Sequence, residues 1–444
     1  MSKVSRRDFA RLMGGAGAGL AAGTGLAPFA IAQGAAASRV VIIGGGAGGA
    51  TVAHYLKKGD PKLDVRLIEP RSTYTTGFFS NLVIGGFRSL ASIQHGYGDL
   101  RKLGVVVIHE RATKVDGVKK TVTLSSGTVL PYDRLVLSPG IDVDYNSIPG
   151  YSVEVSQTIP HFWQNHANLN LLTSQLNAMK DGGIVAFAPP DNPYRCPPGP
   201  YERIAMVAHY LKTKKPKSKL IVLDPKKAFS KQPVFTEAFE KYYKGIVELN
   251  LSTDIDDYTV IKLDAKTKTL TTKAGKIVKA DVAMVVPKQS AGMIALLSGA
   301  ANGNWCPIKP ENFASTLLKD VYVIGDSAVA DPMPKSAFSA NSQGKVVAAD
   351  ILADLSKKEK FPARYRNTCW SLVAPDDCIK VGANYEAKAG KLEASGPFVS
   401  QKGETAEVRK QNWVEAEGWY SGIVADIFAK PAAVAPTAAP AKKG

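Results

Sequence analysis

The chain has 444 residues, about three times the usual domain size, so two or three domains are expected rather than one. With 45% hydrophobic and 21% charged residues it has the composition of a chain with a large core, which excludes a mainly disordered or fibrous protein. The 56 Lys+Arg against 39 Asp+Glu give +17, a charge that suits nucleic acid, a membrane surface or an acidic partner until its distribution is known.

The first 32 residues read as an export signal. Ser5-Arg6-Arg7-Asp8-Phe9 precedes a Gly/Ala-rich apolar stretch that closes on Ala30-Ile31-Ala32, and the paired arginines specify the twin-arginine route, which delivers folded proteins to the periplasm. At the other end, residues 429–444 are Pro/Ala-rich without apolar periodicity and are expected to be a disordered tail. The first 32 and last 15 residues carry +3 each, which leaves +11 for the folded part. No window after the signal has the 18 or more apolar residues of a membrane span, and no basic cluster stands out, so neither a transmembrane segment nor a nucleic-acid partner is expected.

The folded part opens on a dinucleotide pattern. Val40-Val41-Ile42-Ile43, a β-branched run suited to a buried parallel strand, leads into Gly44-Gly45-Gly46-Ala47-Gly48-Gly49 and then a helical segment. This is G-x-G-x-x-G: glycines permit the tight turn and let backbone N–H groups approach a pyrophosphate at the helix start. A second strand, Asp64-Val65-Arg66-Leu67-Ile68, ends in Glu69, 20 residues after Gly49, where a ribose-binding carboxylate is expected.

The next strand-like segments are Tyr132-Asp133-Arg134-Leu135-Val136-Leu137-Ser138-Pro139-Gly140 and, later, Gly182-Gly183-Ile184-Val185-Ala186-Phe187-Ala188-Pro189-Pro190-Asp191. The second has a strand but prolines and an aspartate where nucleotide-binding glycines would follow, so a nicotinamide substrate is disfavoured.

After it comes Asn192-Pro193-Tyr194-Arg195-Cys196-Pro197-Pro198-Gly199-Pro200-Tyr201-Glu202-Arg203, whose prolines pre-set the first turn of a helix with Ile204, Val207, Ala208 and Leu211 on one face. Cys196 lies just before that turn, where the helix dipole is expected to favour a thiolate, and Glu202 is placed as a proton acceptor. The plainer reading of the pair is half of a structural disulfide and a helix-start carboxylate. The four cysteines, Cys196, Cys306, Cys369 and Cys378, permit three full pairings, and spacing does not choose among them. The six histidines show no metal-ligand spacing and no haem-attachment motif is present, so no metal centre is expected.

Val321-Tyr322-Val323-Ile324-Gly325-Asp326 is a buried strand ending in Gly-Asp. Here the chain resembles the two-dinucleotide-domain flavoproteins, in which such an aspartate receives the ribityl chain of FAD. From about Val40 to Phe428 it is more closely similar to the flavoprotein subunit of flavocytochrome c sulfide dehydrogenase, a relative of sulfide:quinone oxidoreductase. That resemblance is carried by the Asn192–Arg203 string, by Ile324-Gly325-Asp326 through Pro332-Met333-Pro334-Lys335-Ser336, by Ser339-Ala340-Asn341-Ser342-Gln343-Gly344-Lys345, and by Thr368-Cys369-Trp370-Ser371-Leu372.

The resemblance implies two Rossmann-like α/β domains of the disulfide-reductase type plus a C-terminal α+β domain. Their expected bounds are 38–150 with 290–358 for the FAD domain, 151–289 for a second domain without a nucleotide fingerprint, and 359–428 for the last. It implies FAD held by Gly44, Gly46, Ala47, Gly48, Gly49, Glu69, Pro70, Arg71, Ala112, Ser138, Pro139, Gly140, Gly325, Asp326, Lys335 and Ser336. It implies a redox-active disulfide between Cys196 and Cys369, with Glu202 as base, hydrosulfide as substrate and a c-type cytochrome as partner. The family's flavin-linking cysteine aligns with Gly77 in Thr75-Thr76-Gly77-Phe78-Phe79-Ser80-Asn81, so FAD is expected to be non-covalent. Two other functions compete: a sulfide:quinone oxidoreductase or NADH dehydrogenase, and an accessory thiol-handling flavoprotein of a periplasmic thiosulfate-oxidising system.

Overall fold

The computed structural model describes residues 38–161, 163 and 169–431; the expected signal segment and nearly all of the expected tail lie outside them. In chain order, the first elements are β1 (Arg39–Ile43), α1 (Ala47–Gly59), β2 (Asp64–Ile68), β3 (Val106–Ile108) and β4 (Arg134–Leu137). Then come β5 (Ile184–Ala188), α2 (Gly199–Lys214), β6 (Lys219–Asp224), α3 (Gln232–Tyr243), β7 (Val247–Leu251) and β8 (Val282–Val285). The last are β9 (Val321–Val323), α4 (Ala337–Ser356), β10 (Arg364–Ala374), β11 (Asp377–Lys388), β12 (Lys391–Val399) and α5 (Ala406–Phe428).

The first sheet has the order β9-β4-β1-β2-β3 and is parallel throughout. Val40 to Ile43 are buried on both faces, which is why the run lacks polar alternation. The outermost strand, β9, arrives only after the second unit has been built, so Gly325 and Asp326 join a site begun by Gly44. Helices α1 and α4 pack closely: a Cβ at Gly344 would stand 2.9 Å from the backbone oxygen of Gly48, and Asn341 Nδ2 donates to Thr51 Oγ1 at 2.9 Å.

The second sheet, β7-β6-β5-β8, is also parallel. Helix α2 follows β5 with Ile204, Val207, Ala208 and Leu211 fully buried, as the spacing predicts. The third sheet, β10-β11-β12, is antiparallel; β10 lies against α2 and α4, and α5 covers β11 and α1. This brings Cys369 on β10 over the joint between the two parallel units. The chain is thus a mixed α/β protein with two parallel units and an antiparallel C-terminal sheet, the architecture that the resemblance implies. Among the described residues no helix is long and apolar enough to cross a membrane.

Candidate functional site

A single cavity of about 760 Å³ runs along the carboxyl ends of the first sheet, the edge where parallel sheets bind ligands. Gly44 follows β1, Glu69 follows β2, Glu110 and Arg111 lie beyond β3, Ser138 follows β4 and Gly325 lies just beyond β9, and all of them line it. Gly44 has φ +102°, and a Cβ there would stand 2.2 Å from the backbone oxygen of Ser138, so only glycine allows strand, turn and β4 to close together. Glu69 is buried; Oε2 accepts from Gly45 N–H at 3.0 Å, while Oε1 accepts from the backbone N–H and Nε of Arg71, each at 3.1 Å.

At the far end Asp326 has one carboxylate oxygen, Oδ1, buried without a hydrogen-bond partner, and its other oxygen 3.6 Å from Arg195 Nε. A buried orphan oxygen of this kind calls for an external donor. The glycine cradle, the carboxylate at the strand end and the orphan oxygen fit a flavin dinucleotide, for which Glu69 would serve a ribose and Asp326 the ribityl hydroxyls. Pro70, Arg71, Ala112, Pro139, Gly140, Lys335 and Ser336 also line the cavity, with Gly46, Ala47 and Gly48. Gly49 stands apart from it: its Cβ would come within 2.0 Å of the Gly44 oxygen, so it serves the packing of α1 on β1.

Cys196, Glu202 and Cys369 line the same cavity. Cys196 sits on a left-handed backbone, φ 60°, with its N–H donating to Lys335 O at 2.7 Å. Pro198 caps α2, so Glu202 falls in the first turn of that helix. Its Oε2 accepts from Asn81 Nδ2 at 2.9 Å, and Oε1 accepts from the Leu372 N–H of β10 at 3.1 Å. Burial raises the carboxyl above the ordinary glutamate range, opposed by these donors and by Lys231 and Arg203. The result is a carboxyl group fixed by two donors, with its proton affinity raised by burial.

The expectation that the helix start favours a Cys196 thiolate is not met. Burial, reinforced by the nearby Cys369 and Glu202, pushes the thiol up to about 12; the helix begins only at Gly199, too far to offset the loss of solvent. Cys369 is also raised by burial, opposed by Lys231, Asn367 and Ser336. No disulfide joins the four cysteines in this structure; Cys196 and Cys369 line one cavity, near enough for Cys369 to bear on the Cys196 thiol. Cys306 and Cys378 are buried in separate surroundings, the first near Lys335, the second near Lys231 and Glu202.

Sequence reading missed several members of this site. Arg203, the bulkiest fully buried side chain, lies over the Trp163 ring at 4.4 Å and donates to Asn81 Oδ1 at 3.1 Å and His161 O at 2.9 Å. Asn81 thereby ties Arg203 to Glu202. Lys231, far along the chain, reaches beneath β10. Trp370 and Trp419 line the cavity with their rings 5.2 Å apart, whereas Tyr420 and Trp413 pack against Phe79 instead. Gly77 lines the cavity beside Phe78 and Phe79.

The chain resembles known proteins in sequence and in fold. Residues 169–287 match the model for the central part of the sulfide dehydrogenase [flavocytochrome c] flavoprotein chain. Residues 361–428 match the flavin-binding part of flavocytochrome c sulphide dehydrogenase, and residues 38–176 match pyridine nucleotide-disulphide oxidoreductases. The sulfide dehydrogenase flavoprotein chain of Chlorobaculum thiosulfatiphilum is 53% identical over 45 residues, 10% of this chain and 94% of that sequence. The mitochondrial sulfide:quinone oxidoreductase of Dictyostelium discoideum is 23% identical over 323 residues, 71% of this chain and 70% of its own length. Among solved structures, the sulfide:quinone oxidoreductase of Aquifex aeolicus superposes with a TM-score of 0.69 at 17% identity, covering 90% of this chain and 93% of that one.

Proposed function

The chain belongs to the family of flavocytochrome c sulfide dehydrogenase flavoprotein chains, FAD proteins that oxidise sulfide, and on that premise we propose that it oxidises hydrosulfide in the periplasm and passes the electrons to a c-type cytochrome. The observation that carries this reading is the meeting of Cys196, Glu202 and Cys369 in the cavity that also holds the dinucleotide cradle. Bound FAD supplies a two-electron acceptor that can release electrons singly. With Gly77 in place of a linking side chain, we read it as held non-covalently.

The chemistry of the chain's own groups runs as follows. With Cys196 and Cys369 joined as a disulfide, hydrogen sulfide gives a proton to Glu202 while its sulfur bonds to Sγ of Cys196. The S–S bond breaks, its electron pair leaves on Cys369 as thiolate, and Cys196 carries the persulfide S–SH. A second hydrosulfide bonds to the outer sulfur, frees Cys196 as thiolate and leaves as hydrogen disulfide. The two thiolates re-form the disulfide by giving up one electron pair, for which bound FAD would be the acceptor. In this reading Cys369 would be the thiol that passes electrons to bound FAD, and Cys196 carries the substrate sulfur.

Anaerobic mixing of the FAD-loaded protein with sulfide tests this. The flavin absorbance is expected to bleach with sulfide but not with NADH, and to return on adding oxidised cytochrome c. Cys369→Ser is expected to slow bleaching at least about 100-fold, the scale on which a lost nucleophilic partner acts. Bleaching of that variant at the parental rate would overturn the scheme. Reoxidation by a ubiquinone analogue and not by cytochrome c would replace the proposed acceptor with a quinone, as the names of the relatives in Dictyostelium discoideum and Aquifex aeolicus suggest.

A further inference from the structure

Lys231 is a buried lysine that no motif announces. It sits at the cap of α3 on a left-handed backbone, φ 62°, and only 6% of its surface is exposed. Its Nζ donates to Ser371 Oγ at 2.9 Å, to Cys369 O at 3.3 Å and to Ile379 O at 3.5 Å, so it lies under the β10–β11 pair. All three acceptors are neutral. Among the described residues no carboxylate comes within ion-pair distance of it, although eleven of the chain's other lysines have such a partner. An ammonium out of water without a counter-ion is costly, and so is a left-handed lysine backbone. Both costs are borne at one place, directly behind the thiol site.

The charged and titratable groups that face Lys231 are Cys369 on β10, Cys378 on β11, and Glu202 and Cys196 from α2 and the loop before it. Cys369 in turn faces Lys231, Asn367, Ser336, Glu202 and Cys196, with Tyr385 of β11 beyond it. Burial lowers the lysine below its ordinary range and these groups oppose it; three of them belong to the thiol site, and Cys378 lies beside it. We propose that Lys231 is the positioning charge of this site: its ammonium, fixed through Ser371 Oγ and the Cys369 carbonyl, selects Cys369 over Cys196 as the thiol that carries negative charge.

The inference rests on the thiol-site reading given under the proposed function, and it supplies what that reading lacks. Two buried thiols of equal acidity would open their disulfide in either direction. A cation behind one of them makes that one the leaving thiolate and leaves the other to take the sulfur.

Alkylation by iodoacetamide reports the thiolate directly and involves no sulfide. In the FAD-loaded, dithiol-treated protein, mass-spectrometric rates against pH are expected to place the Cys369 midpoint below that of Cys196. Lys231→Met is expected to move the Cys369 midpoint up by about one unit or more, a tenfold loss of thiolate at lower pH. Lys231→Arg, which keeps the charge, is expected to restore most of the shift. A parental protein in which Cys196 ionises first overturns the proposal, whether or not the variants fold. So does an unchanged Cys369 midpoint in a folded Lys231→Met protein, which would leave Lys231 as a tie between sheet and helix. Absence of sulfide bleaching with the alkylation order intact would instead sink the sulfide reading alone.

Discussion

In the first parallel unit the chain passes from β1 to α1 through Gly44, Gly45 and Gly46, whereas in the second it takes residues 189–198, with five prolines, to get from β5 to α2. The carboxylates at the ends of the following strands differ in the same sense. Glu69, after β2, lines the cavity. Asp224, at the end of β6, is sealed at 0% exposure: its carboxylate accepts from Tyr201 OH and lies against Lys226 Nζ, both at 2.7 Å, and accepts from Lys226 N–H at 3.0 Å. The Tyr201 ring stacks on Phe229 at 3.5 Å, so the strand-end carboxylate that would be free for a ribose is spent on the chain's own side chains. One topology thus holds a cofactor in one copy and its own side chains in the other. The loop that no longer cradles a phosphate is free to carry Cys196 and Glu202 across into the neighbouring cavity, which illustrates why function is read from sites rather than folds.

The sharpest way to break this comparison is to spoil the open copy. Gly44→Val places a branched side chain where even a Cβ meets the Ser138 oxygen at 2.2 Å and demands a φ of +102° that valine avoids. The purified variant is expected to hold less than about a tenth of the parental flavin, a discrimination of the size one misplaced backbone contact gives in a tight site, read from the ratio of flavin to protein absorbance. Full flavin content would mean that the cradle is not where the dinucleotide lies.

The closed copy is tested by removing its internal counter-ion. Lys226→Met strips the ammonium from Asp224 and leaves a fully buried carboxylate, with an expected loss of about 3–5 kcal/mol of stability in denaturant titration. Adding Asp224→Asn removes the stranded charge and is expected to recover most of it. A single variant costing less than about 1 kcal/mol would show that water reaches Asp224 and that the second site is open after all.

These two units also divide what the sequence made legible from what it did not. The glycine run, the strand-end Glu69 and the Gly325-Asp326 pair were readable because a phosphate or ribose imposes residue types at short, fixed spacings. The helix over 199–214 was readable from its 3.6-residue apolar period. The ionisation of Cys196 was not, because proximity to a helix start can be seen in a sequence while burial by β10, contributed some 170 residues later, cannot. Lys231, Arg203 and Asn81 escaped for the same reason: Arg203 and Asn81 stand at the ends of motif strings, but each of the three acts through a partner on a distant element that the sequence does not bring near.

A smaller effect tests whether the two units yield together in acid. Each is anchored by a buried neutral histidine. His95 lies between Tyr420 OH at 3.0 Å and Lys430 Nζ at 2.9 Å, and burial, with the Lys430 charge, lowers it to about 4. His161 accepts from Trp163 N–H at 3.1 Å, and burial, with Arg203 and then Arg195 nearby, lowers it to about 4 as well. Below about pH 6.5 the unfolded chain binds protons at these positions while the native protein does not, so the stability they contribute is intact at neutral pH and falls as the pH drops from 6.5 toward 4. At pH 4.5 the loss is expected to be about 2 kcal/mol for each, relative to pH 7. His95→Gln and His161→Gln should each flatten that dependence in melts at the two pH values. If only His95→Gln does so, the C-terminal helix that holds Tyr420 is the part that acid releases first, and the thiol site, which rests on Arg203 beside His161, outlasts it.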